Sequence, residues 1–131
     1  MEKTNSRRPD ALIVGDHADT LTSMRESLAL LGFNVTAAGG GPAALAEAAA
    51  NPPKLVLLDI RTSGMDGFQV ASRLRQLPGM NRTLLVAVTA SIDVGFVARA
   101  QAAGFDAFLT KPIDQNLLEQ ILRNHDLTAG D

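Results

Sequence analysis

Asp16, Asp59, Thr89 and Lys111 carry the groups in this chain that could do chemistry together. Each follows an apolar run. Ala11-Leu12-Ile13-Val14 leads to Gly15-Asp16, and Leu55-Val56-Leu57-Leu58 runs straight into Asp59. Thr83 to Val88 leads to Thr89, and Phe105 to Leu109 is followed by Thr110-Lys111. Two carboxylates with loop carbonyls and water suit a hard ion such as Mg2+, which is held by one or two carboxylates plus phosphate oxygens. A carboxylate is also a nucleophile toward phosphorus and forms an aspartyl phosphate. Phosphoryl transfer needs mainly positioning and charge neutralisation. Mg2+ and the Lys111 ammonium would supply the charge, and Thr89 would donate a hydrogen bond to the transferred group.

The elements that must position these residues are legible from periodicity. Apolar runs without alternation read as strands buried on both faces. They are Ala11 to Val14, Leu55 to Asp59, Thr83 to Thr89 and the shorter Phe105 to Leu109. Phe33 to Ala37 alternates and is the most polar strand, which suits a sheet edge. Between the strands lie helices. Ala18 to Leu31 carries Leu21, Met24, Leu28 and Leu31 on one stripe and stops at Gly32. Pro42 opens the alanine-rich Ala43 to Ala50. Asp66 is the expected N-cap of Gly67 to Gln76, whose inner face is Phe68, Val70, Ala71 and Leu74. Asp93 is the expected cap of a helix reaching Ala103 and ended by Gly104. Asp114 begins a last helix with Leu117, Leu118, Ile121 and Leu122 as its apolar stripe.

Five strands alternating with five helices predict an α/β fold, a parallel sheet covered on both faces. The flavodoxin-like order 2-1-3-4-5 puts the polar strand at the edge, the apolar strands in the middle, and keeps crossovers right-handed. In this three-layer (βα)5 sandwich every strand's carboxyl end lies at one edge. Strands there are ~4.8 Å apart, so Asp16 and Thr89 should flank Asp59, with Lys111 one strand further off but long enough to bend back. Residues 1–10 read as a disordered lead-in, 11–124 as the single domain and 125–131 as a flexible tail.

Composition removes several function classes. There is no Trp and no Tyr, the net charge is −2, and basic residues are scattered, so neither base stacking nor a basic nucleic-acid footprint is expected. Cysteine is absent, which rules out disulfides, thiolate chemistry and Cys-held metals. The first ten residues lack the apolar core of a signal peptide, and no apolar run approaches the ~18–20 residues that span a bilayer. The expectation is a cytoplasmic domain without membrane or nucleic-acid partners. His17 and His125 have no metal-ligand spacing. Gly39-Gly40-Gly41 lacks the Lys-Ser/Thr that completes a phosphate-binding loop.

The chain resembles the response-regulator receiver domain of bacterial two-component signalling. The matching residues are Ala11 to Asp16, Leu57-Leu58-Asp59, Gly64-Met65-Asp66-Gly67, Thr89-Ala90 and Lys111-Pro112, in order over about residues 11–124. The resemblance implies that Asp59 accepts phosphate from a histidine kinase or phosphotransfer domain. It implies that Asp16, Asp59 and the Arg61 backbone carbonyl hold Mg2+, that Lys111 contacts the phosphoryl group, and that Lys111-Pro112 is cis. It further implies that Thr89 and Phe108 form a switch pair. The switch would act on a homodimer or downstream protein through the face made by the fourth helix, fifth strand and last helix. Such a chain signals and catalyses only its own phosphoryl transfer and dephosphorylation.

The chain departs from the family pattern in three places. Gly15 stands where the first of two acids is usual, Ser63 (after Thr62) where a proline is usual, and Gly39-Gly40-Gly41 where the second helix has a leading acid. Taken singly, Asp16 reads equally as a helix cap, Lys111 as a solvated lysine, Thr89 as a strand-end hydroxyl and Phe108 as core. Their convergence at one sheet edge carries the functional reading. Gly15 keeps open a second one, a degenerate receiver that binds partners without phosphorylation. A small aspartyl-phosphate hydrolase would need a further acid beside Asp59. Ala103-Gly104-Phe105-Asp106 resembles the receivers of hybrid kinases.

Overall fold

The run Leu55–Asp59 forms strand β3, buried along its whole length. It lies at the centre of a five-stranded sheet. The computed structural model describes residues 8–61 and 66–127. Around β3 the order is β1(Asp10–Val14), α1(Ala18–Leu30), β2(Asn34–Ala38), α2(Gly41–Ala50), then α3(Gly67–Gln76), β4(Leu84–Thr89), α4(Phe96–Ala103), β5(Ala107–Thr110) and α5(Gln115–Asn124). The strands are all parallel, in the order β2-β1-β3-β4-β5. This is the flavodoxin-like arrangement expected from the alternation of strands and helices.

Strict alternation of side chains across the sheet divides the core in two. Leu12, Val14, Val56, Leu58, Leu85 and Ala87 face one layer with Val70, Leu74 and Phe96. Ala11, Ile13, Leu55, Leu57, Val86 and Val88 face the other with Met24, Leu28, Leu118 and Leu122. Polar β2 is the edge strand, with Thr36 and Ala37 exposed. The Asp66 carboxylate caps α3 by accepting the Phe68 N–H at 2.8 Å. Asp114 caps α5 through the N–H groups of Asn116 and Leu117. Gly32, with φ 87°, closes α1 in the left-handed conformation that disfavours other residues.

Beyond shifts of one or two residues at several element ends, four features differ from the sequence reading. The Asp93 side chain does not cap α4: the helix begins at Phe96 after Gly95 in the left-handed region, and no side-chain cap is present. Asp93 acts through its backbone instead, its carbonyl accepting the Phe96 N–H at 3.1 Å. β5 starts at Ala107, not Phe105, because the Phe105 N–H turns back to the Ala100 carbonyl and closes α4. Residues 8–10, assigned to the lead-in, pair with the sheet: the Pro9 carbonyl accepts from Asn34 and Asp10 begins β1. Residues 125–127, assigned to the tail, form a hydrogen-bonded turn whose Leu127 N–H reaches the Leu122 carbonyl at 2.8 Å. The departure at Thr62 and Ser63 lies outside the described residues.

The turn into α3 depends on Gly67. A Cβ there would stand 2.7 Å from both the Cα and the carbonyl oxygen of Ile60, which are backbone atoms at the end of β3. Gly67→Ala is therefore expected to destabilise the fold by about 1–3 kcal/mol through overpacking. Urea unfolding would measure this; a loss under about 0.5 kcal/mol would show that the loop shifts freely.

Candidate functional site

Asp59 closes β3 and is fully buried (0% exposed). A buried carboxylate persists only when its oxygens are matched, and here both have donors. Oδ1 accepts the Arg61 backbone N–H at 3.0 Å. Oδ2 receives the Lys111 ammonium, also at 3.0 Å. Lys111 reaches across β4 from the end of β5, so the strand order, and not proximity in sequence, makes this pair. Its backbone is held by a hydrogen bond from its own N–H to the Thr89 carbonyl at 2.8 Å, and the Lys111-Pro112 peptide is cis.

Asp16 follows β1 on the same edge of the sheet. Its side chain is 24% exposed, and Oδ1 lies 3.1 Å from Nδ1 of His17. Gly15 is buried beside Asp59. A Cβ built on it would lie 3.4 Å from Asp59 Cβ and 3.7 Å from Oδ2, ordinary contact distances. Its backbone is outside the left-handed region, so nothing in the conformation demands glycine. Gly15 therefore leaves Asp16 and Asp59 as the carboxylates at this point of the edge.

Thr89 is on the same edge but engaged elsewhere. Its hydroxyl donates to the Ser91 carbonyl at 3.0 Å and accepts the Ser91 N–H at 3.4 Å. A threonine at the last position of a strand finds the backbone two residues on before anything distant. The structure thus joins Asp59 and Lys111 directly, sets Asp16 on the adjoining loop, and holds the Thr89 hydroxyl in the β4–α4 loop. Phe108 is half-buried in β5 opposite Ala87. Its ring meets Phe96 edge to face at 5.4 Å.

A cleft of about 430 Å³ opens at this edge, lined by His17, Ala18, Asp19, Thr20, Arg61 and Lys111. His17 has no ligand spacing in the sequence, and its adjacency to Asp16 is the only local signal for their contact; the Thr89-x-Ser91 spacing is the corresponding signal for Ser91.

Among the described residues no group of three or more His, Cys, Asp or Glu side chains is arranged to hold a metal. The donor set on offer is two carboxylates and loop backbone oxygens, all hard. That set fits Mg2+, which keeps part of its water shell, better than zinc, which takes nitrogen and sulfur ligands.

Comparison with known proteins agrees with this architecture. The family model for the response regulator receiver domain matches residues 11–123. The virulence sensor protein BvgS of Bordetella bronchiseptica is 38% identical over 116 residues, spanning 85% of this chain and 9% of that protein. The response regulator PleD of Caulobacter vibrioides is 36% identical over 107 residues, 82% of this chain and 24% of that protein. The chain therefore spans less than a quarter of the length of these relatives. Among solved structures, the receiver domain of the sensor histidine kinase PA1611 from Pseudomonas aeruginosa superposes with a TM-score of 0.80. It shares 27% identity, covers 88% of this chain and 95% of that one, and holds a magnesium ion in its active-site cleft. With the βα order, the buried strand-end aspartate and its lysine already in place, these matches show that the chain belongs to the response regulator receiver domain family, the signalling domain of two-component systems.

Proposed function

We propose that Asp59 is the phosphoacceptor of this receiver, taking a phosphoryl group from a phosphohistidine on a histidine kinase or phosphotransfer domain. The observation that carries this is the Asp59–Lys111 pair: a buried strand-end carboxylate whose oxygen meets an ammonium at 3.0 Å. One carboxylate oxygen forms the O–P bond while the donor's P–N bond breaks, its electron pair staying on the imidazole nitrogen. Lys111 is already placed to neutralise charge on the incoming oxygens, and phosphoryl transfer is accelerated mainly by such positioning and neutralisation. Asp16, Asp59 and the Arg61 carbonyl are the residues that would hold Mg2+. When bound, that ion supplies further neutralisation of the phosphoryl oxygens. Thr89 leaves Ser91 to donate to the new group, and Phe108 follows toward the space it vacates. The face of α4, β5 and α5 is the surface through which a second copy or a downstream protein reads the change.

The test is incubation with acetyl phosphate and Mg2+, followed by intact mass measurement. One added phosphoryl group, lost on treatment with hydroxylamine and absent with a chelator, is expected. No adduct at any Mg2+ concentration would overturn the proposal and leave a phosphorylation-independent interaction module.

Gly15 sets the metal requirement. With one acid missing, Mg2+ affinity should be lower by about tenfold, or ~1–2 kcal/mol, than with the carboxylate restored. Since a Cβ at Gly15 meets its neighbours only at ordinary contact distances, Gly15→Asp is expected to fold, to bind Mg2+ about tenfold more tightly and to label faster at low Mg2+. Without metal it should be less stable, because three acids then repel one another. Calorimetric titration of the unphosphorylated proteins measures this. Equal affinities would mean that the missing carboxylate contributes nothing to the metal here.

A further inference from the structure

The chain has five phenylalanines and no other aromatic residue except histidine. Four of the five meet in one cluster. Phe108 on β5 contacts Phe96 at 5.4 Å between ring centroids, Phe96 contacts Phe68 at 5.8 Å, and Phe68 contacts Phe105 at 6.3 Å, all edge to face. Phe96 is the first residue of α4 and Phe68 the second of α3. Beyond Phe68 stands Arg99 of α4, its guanidinium carbon 4.4 Å from the ring centroid. A cation at that distance is attracted by the ring's face. The rings form a continuous path from the strand beside Thr89 to the surface between α3 and α4.

The middle of this path runs through α4, the shortest helix among the described residues. α4 is a helix of eight residues, entered through left-handed Gly95 and without a side-chain cap. Its first-turn N–H groups lack the side-chain acceptor that steadies most helix starts. The loop before it is held by the Thr89–Ser91 hydrogen bonds. Thr89 and Phe108 share a sheet face, since Thr89 pairs with Thr110 and Ala87 with Phe108. A movement of Thr89 therefore removes the loop's anchor and opens space next to Phe108 at once. Edge-to-face pairs depend on ring orientation, so Phe96 cannot stay as it is when Phe108 turns.

We propose that this phenylalanine ladder, Phe108–Phe96–Phe68, transmits the state of Asp59 to the α3–α4 surface, with Arg99 as its outer end. The inference rests on the reading of Asp59 as phosphoacceptor. Its consequence is a second responsive surface, distinct from the face of α4, β5 and α5. Turning Phe108 reorients Phe96, which shifts the first turn of α4 against α3. Phe68 and the guanidinium stacked on it then move together.

Amide NMR of the full chain tests this in two arms. In the first, without ligand, Phe108→Leu should shift the signals of Phe68 and Arg99, and should leave them still in a Phe96→Leu background. In the second, beryllofluoride with Mg2+ should move Ser91, Phe68 and Arg99 in the wild type, but only Ser91 in Phe96→Leu. Signals of Phe68 and Arg99 that move equally in Phe96→Leu, or that never move while Ser91 does, would overturn the ladder. If beryllofluoride moves nothing, including Ser91, the phosphoacceptor reading fails and the first arm alone decides the coupling. Should Phe96→Leu not fold, Phe68→Leu replaces it. In that variant the Phe96 amide should still respond, while the Arg99 side-chain Nε–H, whose guanidinium stacks on Phe68 in the wild type, should not; a response of that side-chain signal would again overturn the proposal.

Discussion

Arg75→Ala is expected to destabilise the protein by about 2–4 kcal/mol. Arg75 lies in the last turn of α3, and its guanidinium has four acceptors. Nη1 donates to the carbonyls of Met80 and Thr83 at 2.9 and 2.8 Å, and Nη2 to the Gly104 carbonyl and Asp106 Oδ2 at 2.7 and 3.0 Å. Asp106 Oδ2 in turn accepts the Leu85 N–H at 2.9 Å. One side chain thus ties the end of α3 to the chain entering β4, the end of α4 and the approach to β5. Hydrogen bonds to charged groups contribute roughly 1.5–3 kcal/mol each when the partner is left buried. Arg75 is 24% exposed, so water recovers part of this and the net falls well below the sum. Arg75→Lys should restore only a fraction, because an ammonium cannot match a planar fork that serves acceptors on both nitrogens. Urea denaturation with an unchanged slope measures the loss. A change below about 1 kcal/mol would show that the three carbonyls are satisfied by water. Since these contacts lie at the edge of the sheet away from Asp59, phosphodonor labelling of the folded variant should be unaltered.

Asp59→Asn is expected to reduce phosphodonor labelling to nothing detectable. The amide keeps the side chain's shape and an oxygen for the Arg61 N–H, so the buried site should persist. It removes the anionic nucleophile, and it removes the charge that draws Lys111 to within 3.0 Å. Without a nucleophilic carboxylate no O–P bond forms, which is a larger loss than that of any group that only stabilises charge, where about 10²–10³ is usual. Intact mass measurement after exposure to acetyl phosphate and Mg2+ would settle this. Undiminished labelling, with the added mass mapped to another residue, would end the assignment of Asp59.

The sequence by itself determined the elements and their order. Runs such as Leu55–Asp59 and Leu84–Thr89 are apolar on both sides of the pleat, and only a strand covered on both faces buries such a run. The more polar β2 had one place to go, the edge. Caps at Asp66 and Asp114 were legible because a carboxylate and the amides it satisfies lie within three residues. The strand-end positions of Asp16, Asp59, Thr89 and Lys111 followed from the same local signals.

Tertiary structure decided which of these groups actually touch. Lys111 meets Asp59 across an intervening strand, 52 residues away in sequence. Thr89, expected to face Asp59, gives its hydroxyl to Ser91, since a backbone carbonyl two residues on competes at no cost in chain entropy. Asp93 lost its capping role because α4 starts later, where Phe96 can enter the core. The Arg75 contacts and the phenylalanine ladder were invisible in the sequence. Their members are drawn from α3, α4, β5 and the turns between them, and no local pattern links residues so far apart. Periodicity reports which side of an element is apolar; only the packed sheet, with its strand order and register, brings particular side chains from different elements within hydrogen-bonding or ring-contact distance.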